Sequence, residues 1–147
     1  MKFPKFRERG SGDAFNRNTP INLSYHLSNL LYITMIEITF EEVEKFMLEA
    51  EFDYLPGQIE ISFPIIQRIH RRLQQGNSFS AIKIRSGRIV DGHHRYICHK
   101  LLKLEAETTI GGGNSIQVAL VWNSVNLTRD DYDDEDSRQR FAERYDK

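Results

Sequence analysis

Residues 80–105 read SAIKIRSGRIVDGHHRYICHKLLKLE, and this stretch decides the fold. Two short β-branched runs, 81–85 and 88–90, flank Ser86-Gly87, which predicts a hairpin closed by a two-residue turn. Apolar residues at helical spacing follow, and we expect the helix to bury Ile97, Cys98, Leu101, Leu102 and Leu104. The polar sequence DGHHRY therefore lies on a turn that leads from a strand into a helix.

The segments before the hairpin predict a strand and two helices. Residues 31–38 (LYITMIEI) are apolar and β-branched, as in a buried strand. Thr39 and Glu42 form the capping-box pattern of a first helix. After a loop, Ser62 is expected to cap a second helix that ends before Gly76. The predicted buried faces of these two helices hold Phe40, Val43, Phe46, Met47, Ala50, Ile65, Ile66, Ile69 and Leu73.

The segments after the hairpin complete an α/β fold. Residues 116–122 (IQVALVW) predict the last strand, and the charged tail is expected to finish as a short helix over 137–145. This order predicts a compact single domain with a small mixed sheet and packed helices over 31–127. An N-terminal arm over 1–30 and a charged tail over 128–147 are expected to flank it.

Composition sets the class of protein. The chain has 147 residues and is 39% hydrophobic, which is enough for one core and short for two. Cys98 is the single cysteine, which excludes an internal disulfide and makes a reducing cytoplasm the expected compartment. There is no apolar run of the roughly 18 residues that a membrane helix needs, and no signal-peptide pattern, so we expect no membrane partner.

The near-neutral net charge of −1 conceals a segregation of charge along the chain. Residues 37–60 carry eight acids against one lysine, and residues 68–103 carry nine lysines and arginines against one aspartate. The basic stretch predicts an anionic partner such as a nucleotide or nucleic acid, unless the two segments neutralise each other across the fold. The second helix contributes three outward arginines to the basic stretch: Arg68, Arg71 and Arg72.

The DGHHRY turn has the chemistry of a phosphate site. The first N–H groups of a helix have no intrahelical partner, and the helix dipole presents positive charge there. Gly92 allows close approach of a ligand to the backbone, Arg95 can fork onto phosphate oxygens, and His93 and His94 add donors. The turn therefore predicts a seat for phosphate. Two simpler roles stay open, namely that Asp91 only caps the helix and that His94 only hydrogen-bonds in the core.

The run SAIKIRSGRIVDGHHRYICHKLLKLE resembles the ParB/sulfiredoxin superfamily, and its DGHHR form looks most like the free serine kinases and ParB-like domains. The resemblance extends over about residues 33–125, although only DGHHRY is specific. In that family the turn holds the phosphates of ATP, ADP or CTP. The resemblance therefore implies nucleotide contacts for Asp91, Gly92, His93, His94 and Arg95.

Departures from the family narrow the implied activity. Sulfiredoxins have their catalytic cysteine where this chain has His93, so repair of sulfinic acids is not expected. The free serine kinases use a glutamate in the loop after the first strand as general base. Glu49, Glu51, Asp53 and Glu60 are the candidates here, and Glu51 and Glu49 are favoured because the loop before Pro56 should stay near the end of the first strand. His94 would help to neutralise the transferred phosphate.

The spacing of possible metal ligands is the next feature of the sequence. His94 and Cys98 lie four residues apart on one helical face, but no further pair has the spacing of a zinc motif, so no metal ligand is predicted. Magnesium that bridges nucleotide phosphates to Asp91 or a loop carboxylate needs few protein ligands and is the favoured ion.

Three functional hypotheses follow. The first is a nucleotide-binding domain with phosphotransferase or nucleotide hydrolase activity, which relies on positioning and charge. The second is a ParB-like DNA-binding or nuclease module of phage, mobile-element or toxin type that grips DNA through Arg68, Arg71 and Arg72. The third is a non-catalytic interaction protein with the same fold.

Overall fold

The computed structural model describes residues 36–113 and 120–145. In chain order the elements are α1 (Phe40–Glu49), β1 (Glu60–Ser62), α2 (Phe63–Gln74), β2 (Ile82–Arg85), β3 (Arg88–Asp91), α3 (His93–Leu101), β4 (Thr108–Ile110), a 3-10 turn (Trp122–Ser124), β5 (Asn126–Thr128) and α4 (Glu135–Tyr145). The predicted small α/β class is confirmed. Among the helices of the described ranges, none has the length and apolar character needed to cross a bilayer.

The predicted hairpin is confirmed. Strands β2 and β3 pair antiparallel, with Ile84 opposite Ile89 and Arg85 opposite Arg88. Ser86 and Gly87 have φ angles of 51° and 73°, and two positive φ angles are the signature of the turn that matches the twist of a hairpin. Strand β4 adds parallel to β2, which gives the order β3-β2-β4. This small sheet delivers β3 directly into the Gly92 turn.

The strands predicted over 31–38 and 116–122 lie mostly outside the described residues. Residues 31–35 lie outside the described residues, and 36–38 form no strand. Residues 116–119 also lie outside them, while Trp122 begins a 3-10 turn. The final strand is instead β5, which pairs parallel with β1 through Ile61 and Leu127. The prediction is therefore wrong at 120–122, and it missed Asn126–Thr128 because a strand of three residues carries almost no periodic signal.

The core lies between α1, α2, α3 and the strands. Its buried apolar residues are Val43, Met47, Ile61, Phe63, Ile66, Ile69, Leu73, Ile82, Ile89, Tyr96, Ile97, Cys98, Trp122, Val125 and Leu127. Leu104, which was predicted to face inward, is 46% exposed. That prediction was wrong because α3 ends at Leu101 and Lys103 has a φ angle of 54°, which turns the chain away from the helix face.

The C-terminal segment packs on α2. Ser62 is the N-cap residue of α2 but does not cap it with its side chain. Its hydroxyl instead donates to the Asp130 carbonyl oxygen at 2.7 Å. Beyond that contact, α4 lies near Phe79, whose ring centroid is 6.2 Å from that of Phe141. The described part of the predicted tail therefore forms one wall of the surface beside the Gly92 turn.

Candidate functional site

The Gly92 turn begins α3 without a side-chain cap. Gly92 is the N-cap residue with a φ of 97°, a left-handed conformation that favours glycine. Within residues 36–113 and 120–145, no side chain caps the first amides of the helix, and the first turn contains no acid. Asp91 is the last residue of β3, and its carboxylate accepts from Arg95 rather than capping the helix. The first amides of α3 are thus left without the side-chain acceptor that usually serves them.

The Arg95 guanidinium folds back over Gly92. A Cβ atom at Gly92 would lie 2.7 Å from Nη2 and 3.2 Å from Nε of Arg95, so a residue larger than glycine would require this side chain to shift. Nη2 donates to Asp91 Oδ2 at 3.2 Å and to the Ala81 carbonyl at 3.4 Å, both long bonds. Arg95 Nε is buried and has no hydrogen-bond partner within the described ranges. The guanidinium therefore keeps unused donor capacity beside the start of α3.

The two histidines face the protein interior instead. His93 Nε2 accepts from the Gly57 amide at 2.8 Å, and His94 Nε2 accepts from the Ser62 amide at 2.9 Å. Burial is the main cause that lowers the pKa of each imidazole to about 4. Both rings are therefore neutral near pH 7 and do not add the positive charge that protonation would give. They attach the start of α3 to two other backbone segments, which agrees with the simpler role left open for His94.

A cavity of about 200 Å³ opens at the turn, and a second of about 450 Å³ adjoins it. The smaller cavity is lined by all five residues that the DGHHR resemblance marks: Asp91, Gly92, His93, His94 and Arg95. Arg95, Ile65 and Ile69 line both cavities. The guanidinium of Arg95 thus lies at the junction between the turn and a larger recess.

The larger cavity combines Arg68 and Arg95 with side chains of the C-terminal tail that were not predicted to belong to a site. Four arginines and one aspartate line it: Arg68, Arg95, Arg140, Arg144 and Asp133. Three aromatic residues also line it: Phe79, Phe141 and Tyr145. A signal was present in the tail, because Arg140 and Arg144, and likewise Phe141 and Tyr145, are four residues apart and share a helical face. Only the fold brings that face to the Gly92 turn.

Arg68 is fully engaged by the acidic segment that precedes α4. Its two terminal nitrogens donate to the Asp131 carboxylate at 2.7 and 2.8 Å, and Nη2 also donates to Asp133 at 2.6 Å. Hydrogen bonding to Arg68 holds the pKa of Asp131 well below its usual range. The acidic run before α4 thus neutralises one arginine of the basic stretch.

The other arginines of the proposed DNA contact also have partners. Arg71 bonds to Glu37 through Nη2 at 2.6 Å, and Arg72 Nη1 donates to Gln75 Oε1 at 2.6 Å. The basic stretch and the acidic stretch therefore neutralise each other at Arg71 and Glu37. This pairing gives no support to a continuous DNA-binding surface on α2.

The structure does not place the favoured general bases at the turn. Glu49 is the last residue of α1, Glu51 is exposed in the loop after it, and neither lines the two cavities. Asp53 pairs with Lys100 at 2.9 Å. Glu60 accepts from the Tyr132 hydroxyl at 2.5 Å and does not line either cavity. A catalytic role for Glu51 or Glu49 gains no support from this arrangement and stays a prediction.

His94 and Cys98, the pair with a possible metal-ligand spacing, each have a hydrogen-bond partner inside the protein. Cys98 is buried, its thiol donates to the Ile66 carbonyl, and burial raises the pKa of the thiol well above its usual range. Across the described ranges, no group of three or more His, Cys, Asp and Glu side chains is arranged to hold a metal ion. Of the residues that line the smaller cavity, Asp91 is the one acid, and its side chain is 56% exposed.

Comparisons of the chain with protein-family models, with curated proteins and with solved structures found no match.

Proposed function

We propose that this protein binds a nucleotide, such as ATP, ADP or CTP, by its phosphates at the Gly92 turn. The observation that carries the proposal is the pairing of an uncapped helix start with the Arg95 guanidinium, which has a buried Nε without a partner at the mouth of a cavity. Backbone N–H groups of a first helical turn, together with an arginine fork, are a recurrent way to bind phosphate. The resemblance of DGHHRY to the ParB/sulfiredoxin turn supports the same ligand.

Each residue of the turn has a distinct part in the proposed site. Gly92 gives the ligand access to the first amides of α3, and Arg95 exchanges its long bonds to Asp91 and Ala81 for shorter bonds to phosphate oxygens. His93 and His94 hold the helix start against Gly57 and Ser62 and so fix the direction of its amides. Their Nε2 atoms already accept hydrogen bonds from backbone amides. In the proposed site the negative charge of the phosphate is therefore balanced by Arg95 and the helix dipole rather than by a protonated histidine.

Magnesium fits this site through a single carboxylate. Asp91 lies beside the turn with an exposed side chain, and it is the residue that would contact an ion bound to the nucleotide phosphates. Magnesium commonly keeps several waters and takes only one or two carboxylates from the protein. Release of Arg95 to the phosphates would leave the Asp91 carboxylate available to the ion.

The proposal is a binding function rather than a defined reaction. Phosphoryl transfer or hydrolysis would need a group that orients the attacking hydroxyl or water within hydrogen-bond reach. Glu49 and Glu51 line neither cavity. A kinase-like or hydrolase activity therefore needs direct evidence in the form of measured turnover. Turnover that falls in Glu51→Gln while nucleotide affinity is unchanged would establish it.

Calorimetric titration with ATP, ADP, CTP, GTP and a short DNA duplex, with and without magnesium, tests the proposal. Gly92→Ala should weaken nucleotide binding strongly, because a Cβ at this position would occupy space beside the helix start that the phosphate is proposed to enter and would displace the Arg95 guanidinium, three atoms of which are 2.7 to 3.2 Å away. Gly87→Ala is the matched control, since Gly87 has a similar φ of 73° but nothing within 4 Å of an added Cβ. Both variants place a side chain at a positive φ, so both should lose stability through backbone strain, and Gly92→Ala should lose somewhat more because the Arg95 side chain has to shift.

Two results would overturn the proposal. One is the absence of binding to every nucleotide by the unmodified protein. The other is equal nucleotide affinity in the Gly92→Ala and Gly87→Ala variants. Binding of the DNA duplex alone would favour the DNA-directed hypothesis instead.

A further inference from the structure

We propose that the larger cavity, between α2 and α4, binds the base of the nucleotide whose phosphates occupy the Gly92 turn; this inference rests on the proposed function. The C-terminal helix α4 is then a ligand-binding element. The ligand class becomes a nucleoside di- or triphosphate with its base stacked on an aromatic cluster.

A cluster of three partly exposed aromatic rings lines the larger cavity. The ring of Tyr145 lies 4.9 Å from that of Phe79 and 4.7 Å from that of Phe141, measured between centroids. None of the three rings is buried, and α4 has no buried residue at all. Phe79 and Phe141 also pack against the edge of the core, while each of the three rings remains partly exposed and lines the cavity. Open aromatic faces are the usual platform for nucleobases.

The charge of the cavity suits an anionic ligand. Arg140 and Arg144 lie on the exposed side of α4 and line the cavity. Arg140 Nη2 donates to the Ser137 hydroxyl at 3.1 Å, and the Arg144 guanidinium lies 5.4 Å from the centre of the Tyr145 ring. Neither forms an ion pair with an acid in residues 36–113 and 120–145. They are therefore available to the ligand, unlike Arg68.

The two cavities are neighbours that share Arg95, Ile65 and Ile69 as lining residues. Ile65 and Ile69 of α2 form the apolar part of this shared lining. The larger cavity, about 450 Å³, lies within the range of about 300–1,000 Å³ typical of small-molecule sites. A ligand with phosphate at the turn therefore extends past Arg95 toward Phe79, Phe141 and Tyr145. A base is the part of a nucleotide that gains from aromatic faces and arginine planes.

Titrations with ATP and with tripolyphosphate, which lacks a base, separate the two halves of the site. The unmodified protein should bind ATP about 5- to 100-fold more tightly than tripolyphosphate, the range that stacking of one base contributes. Phe141→Leu keeps an apolar contact for α4 and removes the ring, so it should weaken ATP and leave tripolyphosphate unchanged. Phe46→Leu is the matched control, because Phe46 is a half-buried ring that packs edge-on against Phe52 and lines neither cavity.

Saturation-transfer NMR on the unmodified protein gives a second readout that does not depend on how a variant folds. Saturation of the protein should reach the base protons of ATP more strongly than its ribose protons. Equal affinity for ATP and tripolyphosphate, with weak transfer to the base, would overturn the base site and leave the phosphate seat standing. An equal loss of ATP affinity in Phe46→Leu and Phe141→Leu would also overturn it. Failure of both ligands to bind would instead defeat the proposed function itself.

Discussion

Two arginines that line the larger cavity, Arg68 and Arg95, have similar exposure but differ in how completely they are hydrogen-bonded. The side chains of Arg68 and Arg95 are 16% and 19% exposed. Arg68 makes three bonds of 2.6 to 2.8 Å to two aspartates. Arg95 makes two bonds of 3.2 and 3.4 Å and leaves Nε without a partner among the described residues. Burial alone therefore does not separate a structural arginine from one that is available to a ligand.

This difference in hydrogen bonding indicates a structural role for Arg68 and a ligand-binding role for Arg95. Arg68 fastens the segment that carries α4, because Asp131 and Asp133 precede that helix directly. Arg95 lies over the uncapped start of α3. We therefore expect changes at Arg68 to alter stability and changes at Arg95 to alter affinity.

The largest effect that we expect is a loss of stability in acid, caused by the two histidines beside the Gly92 turn and not by the ion pair of Arg68. Burial lowers the pKa of His93 and His94 to about 4, so the unfolded chain takes up protons first as pH falls below about 6.5. The free energy of unfolding should therefore fall between about pH 6.5 and 4, by on the order of 3 kcal/mol for each histidine. Arg68 keeps the pKa of Asp131 below this window, so the ion pair persists through it.

Urea unfolding at a series of pH values measures this effect. His94→Gln can still accept from the Ser62 amide but does not titrate, so it should make the pH dependence shallower by about one proton. The same pH dependence in the variant and the unmodified protein would contradict the assignment of His94 as a buried neutral acceptor.

Arg68→Gln should give the next largest effect. It leaves Asp131 and Asp133 without their cation in a partly buried place, and we expect a loss of about 2 kcal/mol in the free energy of unfolding. Chemical denaturation gives this value. A loss below about 0.5 kcal/mol would place Arg68 among ordinary surface ion pairs and remove the contrast with Arg95.

Arg95→Gln should act mainly on the ligand. Loss of a charged fork should weaken ATP about 10- to 30-fold, while the free energy of unfolding changes by less than about 1 kcal/mol. Calorimetric titration and urea unfolding of the same sample measure the two quantities. Arg85→Gln is the control, since Arg85 is an exposed arginine of β2 that lines neither cavity. A large loss of stability with unchanged affinity would reverse the roles given to the two arginines.

Arg71→Gln should give the smallest effect. Its pair with Glu37 is exposed on both sides, at 40% and 46%, so its loss should change the free energy of unfolding by about 0.5 kcal/mol or less. Binding of a DNA duplex measured against salt concentration adds a second check. If DNA affinity falls steeply with salt concentration, and Arg71→Gln reduces that slope by about one phosphate contact, the DNA-binding hypothesis would be supported.

The predicted features that the structure confirms are local ones. The hairpin at Ser86-Gly87, the capping box of Thr39 with Glu42 and burial of Cys98 depend on residues a few positions apart. Turn and cap preferences act over that distance, so the residues by themselves indicate them. The strand predicted over 116–122 depended on an apolar run alone, and it is wrong at 120–122, the part of the run that the structure describes.

The sequence by itself determined the strand–Gly92–helix turn, because the φ of 97° and the helix start are properties of neighbouring residues. Only the tertiary structure decided which charges around that turn are available. It turned His93 and His94 inward to backbone amides, assigned Arg68 to Asp131 and brought α4 beside Arg95. The physical reason is that pairing of charges depends on distances between segments far apart in the chain, and no local preference encodes those distances.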